Sequence, residues 1–217
     1  MSKPIVDWSL TVITDAALSL GRSDLEIARA AIAGGATVVQ LRQKVGATRD
    51  MALLGHALRA LTREKGVTFI VNDRLDVALA VDADGVHVGQ DDLPADAARA
   101  LLGPDRILGV SAATPEEARA GEAAGADYLG VGAVYSTGSK ADAGAPIGLE
   151  GLALVARSTR LPVVAIGGIG PGRAAPCMAH GAVGVAVISA IVSQPDPEAA
   201  ARLLRAEIDA ARAAQQV

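Results

Sequence analysis

The feature that most constrains this fold is an eightfold alternation of short apolar, strand-like segments with helix-like segments. No evident linker interrupts it, so we expect a single domain over residues 1–217. A Gly-Ala pair, in which Gly ends a helix and Ala starts a strand, recurs at Gly35-Ala36, Gly125-Ala126 and Gly181-Ala182. A repeated βα unit predicts a (β/α)8 TIM barrel. A doubly wound open sheet is the alternative, but no G-x-G-x-x-G follows the first strand.

Hydrophobic periodicity and turn residues set the predicted boundaries. The predicted strands are Ser9–Thr14, Thr37–Leu41, Val67–Val71, Gly85–Val88, Ile107–Val110, Asp127–Val131, Val163–Ile166 and Val183–Ile188. The predicted helices are Asp24–Ala33, Thr48–Glu64, Leu75–Ala80, Pro94–Leu102, one opening at Thr114-Pro115-Glu116-Glu117, Leu149–Ser158, Arg173–Ala179 and Pro197–Ala214. A long loop is expected between Ala133 and Ile147.

Composition limits both the core and the partners. Hydrophobic residues make up 51% of the chain but aromatic residues only 2%, so Ala, Val, Ile and Leu must form the core. The net charge of −4 with no basic stripe argues against nucleic acid. The one cysteine, Cys177, cannot form an internal disulfide and is expected to be a small buried helix residue. No signal-like segment or membrane-length apolar run is present, which predicts a cytoplasmic protein that does not enter membranes.

Polar side chains follow at least seven of the predicted strands directly. In a parallel sheet these strand ends lie together, where active sites of α/β folds form. The acidic members are Asp73 and Asp92, with Asn72, Gln90 and Asp91 beside them. Carboxylates at adjacent strand ends suit Mg²⁺, which often bridges to substrate phosphates. N-capping of the following helices by Asp73 and Asp92 is the alternative interpretation.

Basic and hydroxyl side chains form a second group. Gln40, Arg42 and Lys44 alternate at the end of the second strand and therefore point to one face. Thr137, Ser139 and Lys140 lie in the long loop, where hydroxyls, backbone N–H groups and an ammonium can bind phosphate. A solvated flexible loop is the alternative.

Glycines mark a third group. Ile166-Gly167-Gly168-Ile169 follows the seventh strand, and Ile188-Ser189 follows the eighth. In barrels the loops after these strands often bind phosphate, because glycine permits close backbone approach. The site is thus expected to bind two anions, as a pyrophosphate ester and a phosphate monoester would require.

Six motifs stand in register along the chain: Gln40-Leu41-Arg42-Gln43-Lys44, Val71-Asn72-Asp73-Arg74, residues 84–92, Gly109-Val110-Ser111, residues 125–132 and residues 165–169. Together they resemble the thiamine phosphate synthase family, also called thiamine-phosphate pyrophosphorylase. Their order and spacing fit that family over nearly the whole chain, from about Val12 to Ile191.

The resemblance implies a set of substrates and residue roles. The substrates would be hydroxymethylpyrimidine pyrophosphate and hydroxyethylthiazole phosphate, and the products thiamine phosphate and pyrophosphate. Lys140, Arg42 and Ser111 would be catalytic. Asp73 and Asp92 would bind Mg²⁺. The pyrophosphate and pyrimidine end would be held by Gln40, Arg42, Lys44, Asn72, Ser111 and Lys140. The thiazole phosphate would lie near Thr137, Ser139, Gly168, Ile188 and Ser189.

Three positions depart from the family pattern, and each concerns local contacts. Ser139 stands where Thr is usual, Ala113 where His is common, and Arg173 where Asn is common. Among the histidines, His87 lies within the fourth strand and is expected to be structural. Trp8 is expected to cover one end of the barrel.

Two other functions remain as alternatives. A thiazole tautomerase shares the barrel, but the resemblance implies that it uses a His where this chain has Ser111, a poor acid or base at neutral pH. A non-catalytic thiazole-phosphate sensor would need neither Asp73 nor Asp92. The sequence does not indicate whether the protein is a monomer or an oligomer.

Overall fold

Eight parallel strands close into a barrel in this computed structural model, which describes residues 3–139 and 144–215. Each strand pairs with its neighbours in sequence, and the eighth pairs with the first through Thr11 and Ala186. The (β/α)8 prediction is therefore confirmed, and the open doubly wound sheet is wrong.

The strands and helices alternate along the chain. The strands are β1 Leu10–Ile13, β2 Val38–Leu41, β3 Thr68–Asn72, β4 Gly85–Val88, β5 Ile107–Ala112, β6 Tyr128–Val131, β7 Val163–Ile166 and β8 Gly184–Val187. The helices in the described ranges are α1 Asp24–Ala33, α2 Thr48–Lys65, α3 Leu75–Ala80, α4 Ala95–Leu102, α5 Pro115–Ala123, α6 Gly148–Arg157, α7 Ala174–Ala179, α8 Ser189–Val192 and α9 Pro197–Ala214. A 3-10 turn covers Ala16–Leu18.

The sequence did not predict α8, and it ended β5 two residues early. The four-residue α8 starts directly after β8, held by hydrogen bonds from Ile191 and Val192 to the Ile188 carbonyl (3.0 and 2.8 Å). Without a side-chain cap or a periodic apolar face, such a turn leaves little signal in a sequence. The extension of β5 arises because Ser111 and Ala112 pair with Gly130 and Val131.

Local capping explains why helices begin and end where they do. Ser23 and Glu26 form a reciprocal capping box at α1. Thr114 caps α5, as the Thr-Pro-Glu-Glu pattern predicts. At the three Gly-Ala joints the glycine adopts a positive φ, and the alanine N–H returns to a carbonyl of the preceding helix. These joints turn the chain from each helix into the next strand.

The core has an outer and an inner part. The outer part lies between strands and helices and consists mostly of Val, Leu, Ile and Ala, as composition predicts. The inner part fills the barrel at its amino-terminal end, where Trp8 stacks on Tyr128 with ring centroids 4.1 Å apart. Trp8 therefore covers one barrel end, as predicted, and the opposite end stays open for polar groups.

The length and apolarity of the helices concern the prediction that the protein does not enter membranes. Across residues 3–139 and 144–215, no helix combines the length and the apolarity that a membrane crossing requires.

Candidate active site

A cavity of about 320 Å³ opens at the carboxyl ends of the strands. It brings together every predicted site residue that the structure describes. These are Gln40, Arg42, Lys44, Asn72, Asp73, Asp92, Ser111, Thr137, Ser139, Gly168, Ile188 and Ser189. Lys140 lies outside the described residues. The convergence predicted from the strand ends therefore occurs, whereas the role of each residue remains a prediction.

Successive side chains of β2 point to opposite faces of the sheet, so its polar residues share the face that lines the cavity. Gln40 is buried within the barrel, and Arg42 and Lys44 continue the same face beyond the strand. Arg42 Nη1 contacts Asp15 Oδ2 at 2.5 Å, and its backbone N–H donates to the Thr14 hydroxyl at 3.2 Å. Because both side chains of the Arg42–Asp15 pair are only 12% exposed, the guanidinium is firmly placed.

The acidic residues lie beside this basic group. Asp73 accepts a hydrogen bond from Lys44 Nζ at 2.6 Å, and Asp92 Oδ2 accepts one from the Gly89 N–H at 2.7 Å. Neither carboxylate caps a helix, because α3 and α4 begin after Arg74 and Pro94, which lack side-chain capping bonds. The capping interpretation is therefore wrong.

The two carboxylates are close enough to influence one another. Burial raises the pKa of Asp92, and its contact with the Asp73 carboxyl raises that pKa further, against the lowering effect of the Gly89 N–H. The two carboxylates repel one another, and the charge of Lys44, which pairs with Asp73, offsets this only in part. A divalent cation with a preference for oxygen would relieve that repulsion.

The donor set limits which metal can bind. No group of three or more His, Cys, Asp or Glu side chains suited to a metal occurs in residues 3–139 and 144–215. Two carboxylates fit Mg²⁺, which typically takes one or two protein carboxylates and completes its shell with water and substrate phosphate. They do not fit structural zinc, which needs four ligands of the N or S type.

A chain of polar side chains crosses the floor of the cavity. His87 Nε2 lies 2.9 Å from Ser111 Oγ, and His87 Nδ1 lies 2.9 Å from the Tyr128 hydroxyl. Tyr128 is also hydrogen-bonded to the Gln40 side chain, while its burial raises its pKa. His87 is thus satisfied, as the sequence predicts, yet it also lines the cavity and orients Ser111.

Two glycines provide the space for this polar chain. A Cβ on Gly109 would lie 2.3 Å from the Tyr128 ring and 2.5 Å from His87 Nδ1. A Cβ on Gly130 would lie 2.9 Å from His87 Cε1. The missing side chains on β5 and β6 therefore let an imidazole and a phenol ring lie side by side within the barrel.

Hydroxyl groups from the loops after β6 and β8 meet on another side of the cavity. Ser139 Oγ lies 3.2 Å from Ser189 Oγ. The ends of the long loop are closed by two hydrogen bonds, from Ile147 to the Ala133 carbonyl at 2.8 Å and from Gly148 to the Val134 carbonyl at 3.1 Å. This closure holds Thr137 and Ser139 over the barrel.

Sequence reasoning missed Asp15 and Glu117 as supporting residues, and it named Gln90 without predicting its contact. Asp15 follows β1 as the predicted residues follow other strands, so the same signal could have identified it. Gln90 Nε2 donates to the Ser111 carbonyl at 2.7 Å. Glu117, which lines the cavity, accepts a hydrogen bond from the Ala113 backbone N–H at 2.6 Å.

The cavity therefore has two chemically distinct sides. One combines Arg42, Lys44 and the Asp73–Asp92 pair, which suits a pyrophosphate with a divalent cation. The other combines Ser139, Ser189 and the glycine loop after β7, which suits a phosphate monoester. The polar floor between them offers hydrogen bonds to a flat heterocycle.

Comparisons with known proteins found relatives of one family. A family model described as thiamine monophosphate synthase matches residues 10–191. The thiamine-phosphate synthase of Moorella thermoacetica is 57% identical over 205 residues, which cover 94% of this chain and 98% of that protein. That of Chloroflexus aurantiacus is 57% identical over 93% of each chain. The solved structure of thiamine phosphate pyrophosphorylase from Pyrococcus furiosus has a TM-score of 0.88 and 44% identity, covering 94% of this chain and 97% of that one.

Proposed function

The chain belongs to the thiamine monophosphate synthase family, and from this premise we propose the substrates, the metal and the residue roles of its reaction. It is a transferase that forms thiamine phosphate. We assign hydroxymethylpyrimidine pyrophosphate and hydroxyethylthiazole phosphate as its substrates. The observation that carries this assignment is the presence of two different anion-binding sides in one cavity.

The pyrophosphate side lies at the ends of β2, β3 and β4. Arg42, Lys44 and Asn72 bind the pyrophosphate oxygens, and Lys140 is assigned to the same group. Asp15 keeps the Arg42 guanidinium in place. When bound by Asp73 and Asp92, Mg²⁺ supplies further positive charge next to the leaving pyrophosphate.

The reaction requires one bond to break and one to form. The bond from the pyrimidine methylene carbon to the pyrophosphate oxygen breaks, and both electrons leave with the oxygen. The thiazole nitrogen then donates its lone pair to that carbon. Because no proton is transferred, no side-chain base or nucleophile is needed, and positioning and electrostatics reduce the barrier.

The floor and the far side of the cavity position the two rings. Gln40 and Ser111 contact the pyrimidine, and the contact from His87 fixes the Ser111 hydroxyl. Thr137, Ser139, Gly168, Ile188 and Ser189 hold the thiazole phosphate. A cytoplasmic location, which the lone buried cysteine favours, completes the proposal.

The test is condensation of the two substrates by the purified protein. We expect thiamine phosphate, detected by mass spectrometry, to form with Mg²⁺, to disappear with EDTA and to return when excess Mg²⁺ is added. Asp92→Asn is expected to lose at least about 100-fold in kcat/KM, because it removes a carboxylate proposed to hold Mg²⁺ and so weakens the positive charge beside the leaving group. Asp96→Asn, at an exposed position in the first turn of α4, makes the same charge change and is expected to retain activity.

Three outcomes would contradict parts of the proposal. EDTA-resistant turnover would exclude the Mg²⁺ assignment. Normal kcat/KM in Asp92→Asn would exclude this residue as a ligand. A folded protein that binds thiazole phosphate without forming product would instead favour the tautomerase or the sensor.

A further inference from the structure

The loop after β7 packs directly against the start of the long loop after β6. Gly168 has a φ of +64°, and a Cβ there would lie 2.5 Å from the Ser136 carbonyl oxygen and 2.8 Å from Tyr135 Cβ. The Tyr135 N–H donates to the Gly167 carbonyl at 3.0 Å. Two of the three loops that carry the proposed thiazole-phosphate residues therefore form one packed unit.

Arg173 joins both loops through one side chain. Its Nη1 donates to the Gly168 carbonyl at 2.7 Å, and its guanidinium carbon lies 4.8 Å from the centre of the Tyr135 ring. A planar guanidinium can donate in its plane and stack by its face at the same time, which a lysine ammonium cannot do. A shorter side chain without a guanidinium, such as asparagine, could not make both contacts.

The contact to Gly168 also determines where the next N–H points. Of the described peptide bonds, only Gly132–Ala133 is cis, so the Gly168–Ile169 peptide is trans. In a planar trans peptide the C=O and N–H groups point in opposite directions. Because the Gly168 carbonyl points towards Arg173, the Ile169 N–H points away from it. Gly168 and Ile169 both line the cavity, whereas Arg173 does not.

We propose that Arg173 is a positioning residue for the thiazole-phosphate side of the cavity. It orients the Gly168–Ile169 peptide so that the N–H faces the phosphate, and through Tyr135 it fixes the loop that carries Thr137 and Ser139. Arg173 does not itself contact the phosphate. This inference rests on the proposed function for the identity of the phosphate ester, but the loop geometry applies to any phosphate bound there.

The first test separates the two substrates. Arg173→Met keeps the aliphatic stem and removes the donors and the charge. We expect its KM for the thiazole phosphate to rise about tenfold, as loss of one charge-assisted hydrogen bond predicts, with kcat and the KM for the pyrimidine pyrophosphate within about twofold of wild type. Arg202→Met, at an exposed position on α9, is the control for net charge. Equal rises in both KM values, or none, would overturn the proposal.

The second test distinguishes geometry from charge. Arg173→Lys keeps the charge but loses the planar donor, so we expect most of the increase in KM to remain. A wild-type KM in Arg173→Lys would mean that charge alone matters and would overturn the positioning role. Tyr135→Leu is expected to raise the same KM, and combining it with Arg173→Met is expected to add little, because the two side chains act as a unit. Strictly additive effects of the two substitutions on KM would mean that the two side chains do not act as a unit.

A third test does not depend on turnover. Inorganic phosphate is expected to raise the melting temperature of the wild-type protein and to raise that of Arg173→Met less. Equal rises in both would overturn the inference, even where the wild type condenses its two substrates. If the wild type makes no thiamine phosphate but the phosphate effect still depends on Arg173, the proposed function fails and the positioning role stands.

Discussion

Lys44 Nζ lies 2.6 Å from Asp73 Oδ2, so the basic group after β2 and the acidic group after β3 form an ion pair within the candidate site. The Lys44 side chain is 45% exposed, and such a pair contributes little to the free energy of unfolding. The Lys44–Asp73 pair matters for ligand binding. The same carboxylate is proposed to hold Mg²⁺, and the same ammonium is proposed to hold the pyrophosphate.

This sharing predicts opposite effects of Lys44→Met on two ligands. Without the Lys44 ammonium, no neighbouring cation repels Mg²⁺ or competes with it for the Asp73 carboxylate, and we expect the free enzyme to bind Mg²⁺ about two- to fivefold more tightly. The pyrophosphate loses a cation, so its KM is expected to rise about tenfold. Calorimetric Mg²⁺ titration and steady-state kinetics measure the two effects. Lys65→Met, at the exposed end of α2, is the control, and changes in the same direction for both ligands would refute the sharing.

Gly109→Ala is predicted to disturb both stability and turnover. The new methyl group would lie 2.3 Å from the Tyr128 ring and 2.5 Å from His87 Nδ1, so both rings must shift. Overpacking of this kind costs about 1–3 kcal/mol in the free energy of unfolding. Because His87 orients Ser111, we also expect kcat to fall about tenfold or more.

Urea denaturation and steady-state kinetics measure these two effects. The control is Gly138→Ala, where the methyl group would meet no atom of residues 3–139 and 144–215 within 4 Å. Unchanged stability in Gly109→Ala would show that the barrel interior has more room than the structure indicates.

The sequence predicted residues that act at their own strand ends, and it missed contacts made across the barrel. Gln40, Arg42 and Lys44 share a face by alternation alone, so their convergence required no knowledge of the fold. The contact of His87 with Ser111 joins strands β4 and β5, and that with Tyr128 reaches β6. Those partners depend on strand register and on the space at Gly109 and Gly130, which no local pattern encodes.

Asp15 shows a second limit of the sequence. It follows β1 and pairs with Arg42, 27 positions later. Its position after a strand places it at the same end of the barrel as the cavity, but its partner depends on the pairing of β1 with β2. The closure of the barrel through β1 and β8 likewise depends on all eight strands together, although their repeated order already favoured it.

Asp24 is predicted to make stability depend on pH. Its side chain is buried at the start of α1, and its Oδ1 has no hydrogen-bond partner. Burial, and then the charge of Asp15, raise the pKa of Asp24 above its ordinary value of 3.8, although a hydrogen bond with Thr14 opposes this. Between the ordinary pKa of 3.8 and its own raised pKa, the folded state keeps a proton that the unfolded state has released. The contribution of Asp24 therefore becomes less favourable as pH rises.

Asp24→Asn tests whether the contribution of Asp24 to stability falls as pH rises. We expect the free energy of unfolding of the variant, relative to wild type, to increase between pH 4 and pH 7 by on the order of 1 kcal/mol, the cost of one unsatisfied buried polar group. Asp50→Asn, exposed in the first turn of α2, controls for the loss of an acidic residue near a helix start. A difference that shrinks as pH rises would contradict the burial argument.

Lys140→Ala is predicted to remove most turnover while leaving the fold intact. This prediction comes from the Thr137-x-Ser139-Lys140 pattern, since Lys140 lies outside the described residues. The ammonium is assigned to the developing charge of the leaving group, so we expect a loss of at least about 100-fold in kcat/KM. Circular dichroism checks the fold, and near-normal kcat/KM would refute the assigned role.

Cys177 is predicted to be chemically inert in the folded protein. It lies within α7 with no solvent exposure, as the sequence predicts, and burial raises its pKa to about 11 despite a hydrogen bond with Tyr135. At pH 8 only about one thiol in a thousand would be thiolate, and a reagent could not reach it. We expect labelling by a disulfide reagent at pH 8 to be far slower than that of glutathione and to accelerate with urea as the protein unfolds. Labelling of the native protein at the rate of glutathione would mean that the α7–β7 side of the barrel opens, in conflict with the packing of Tyr135 against this helix.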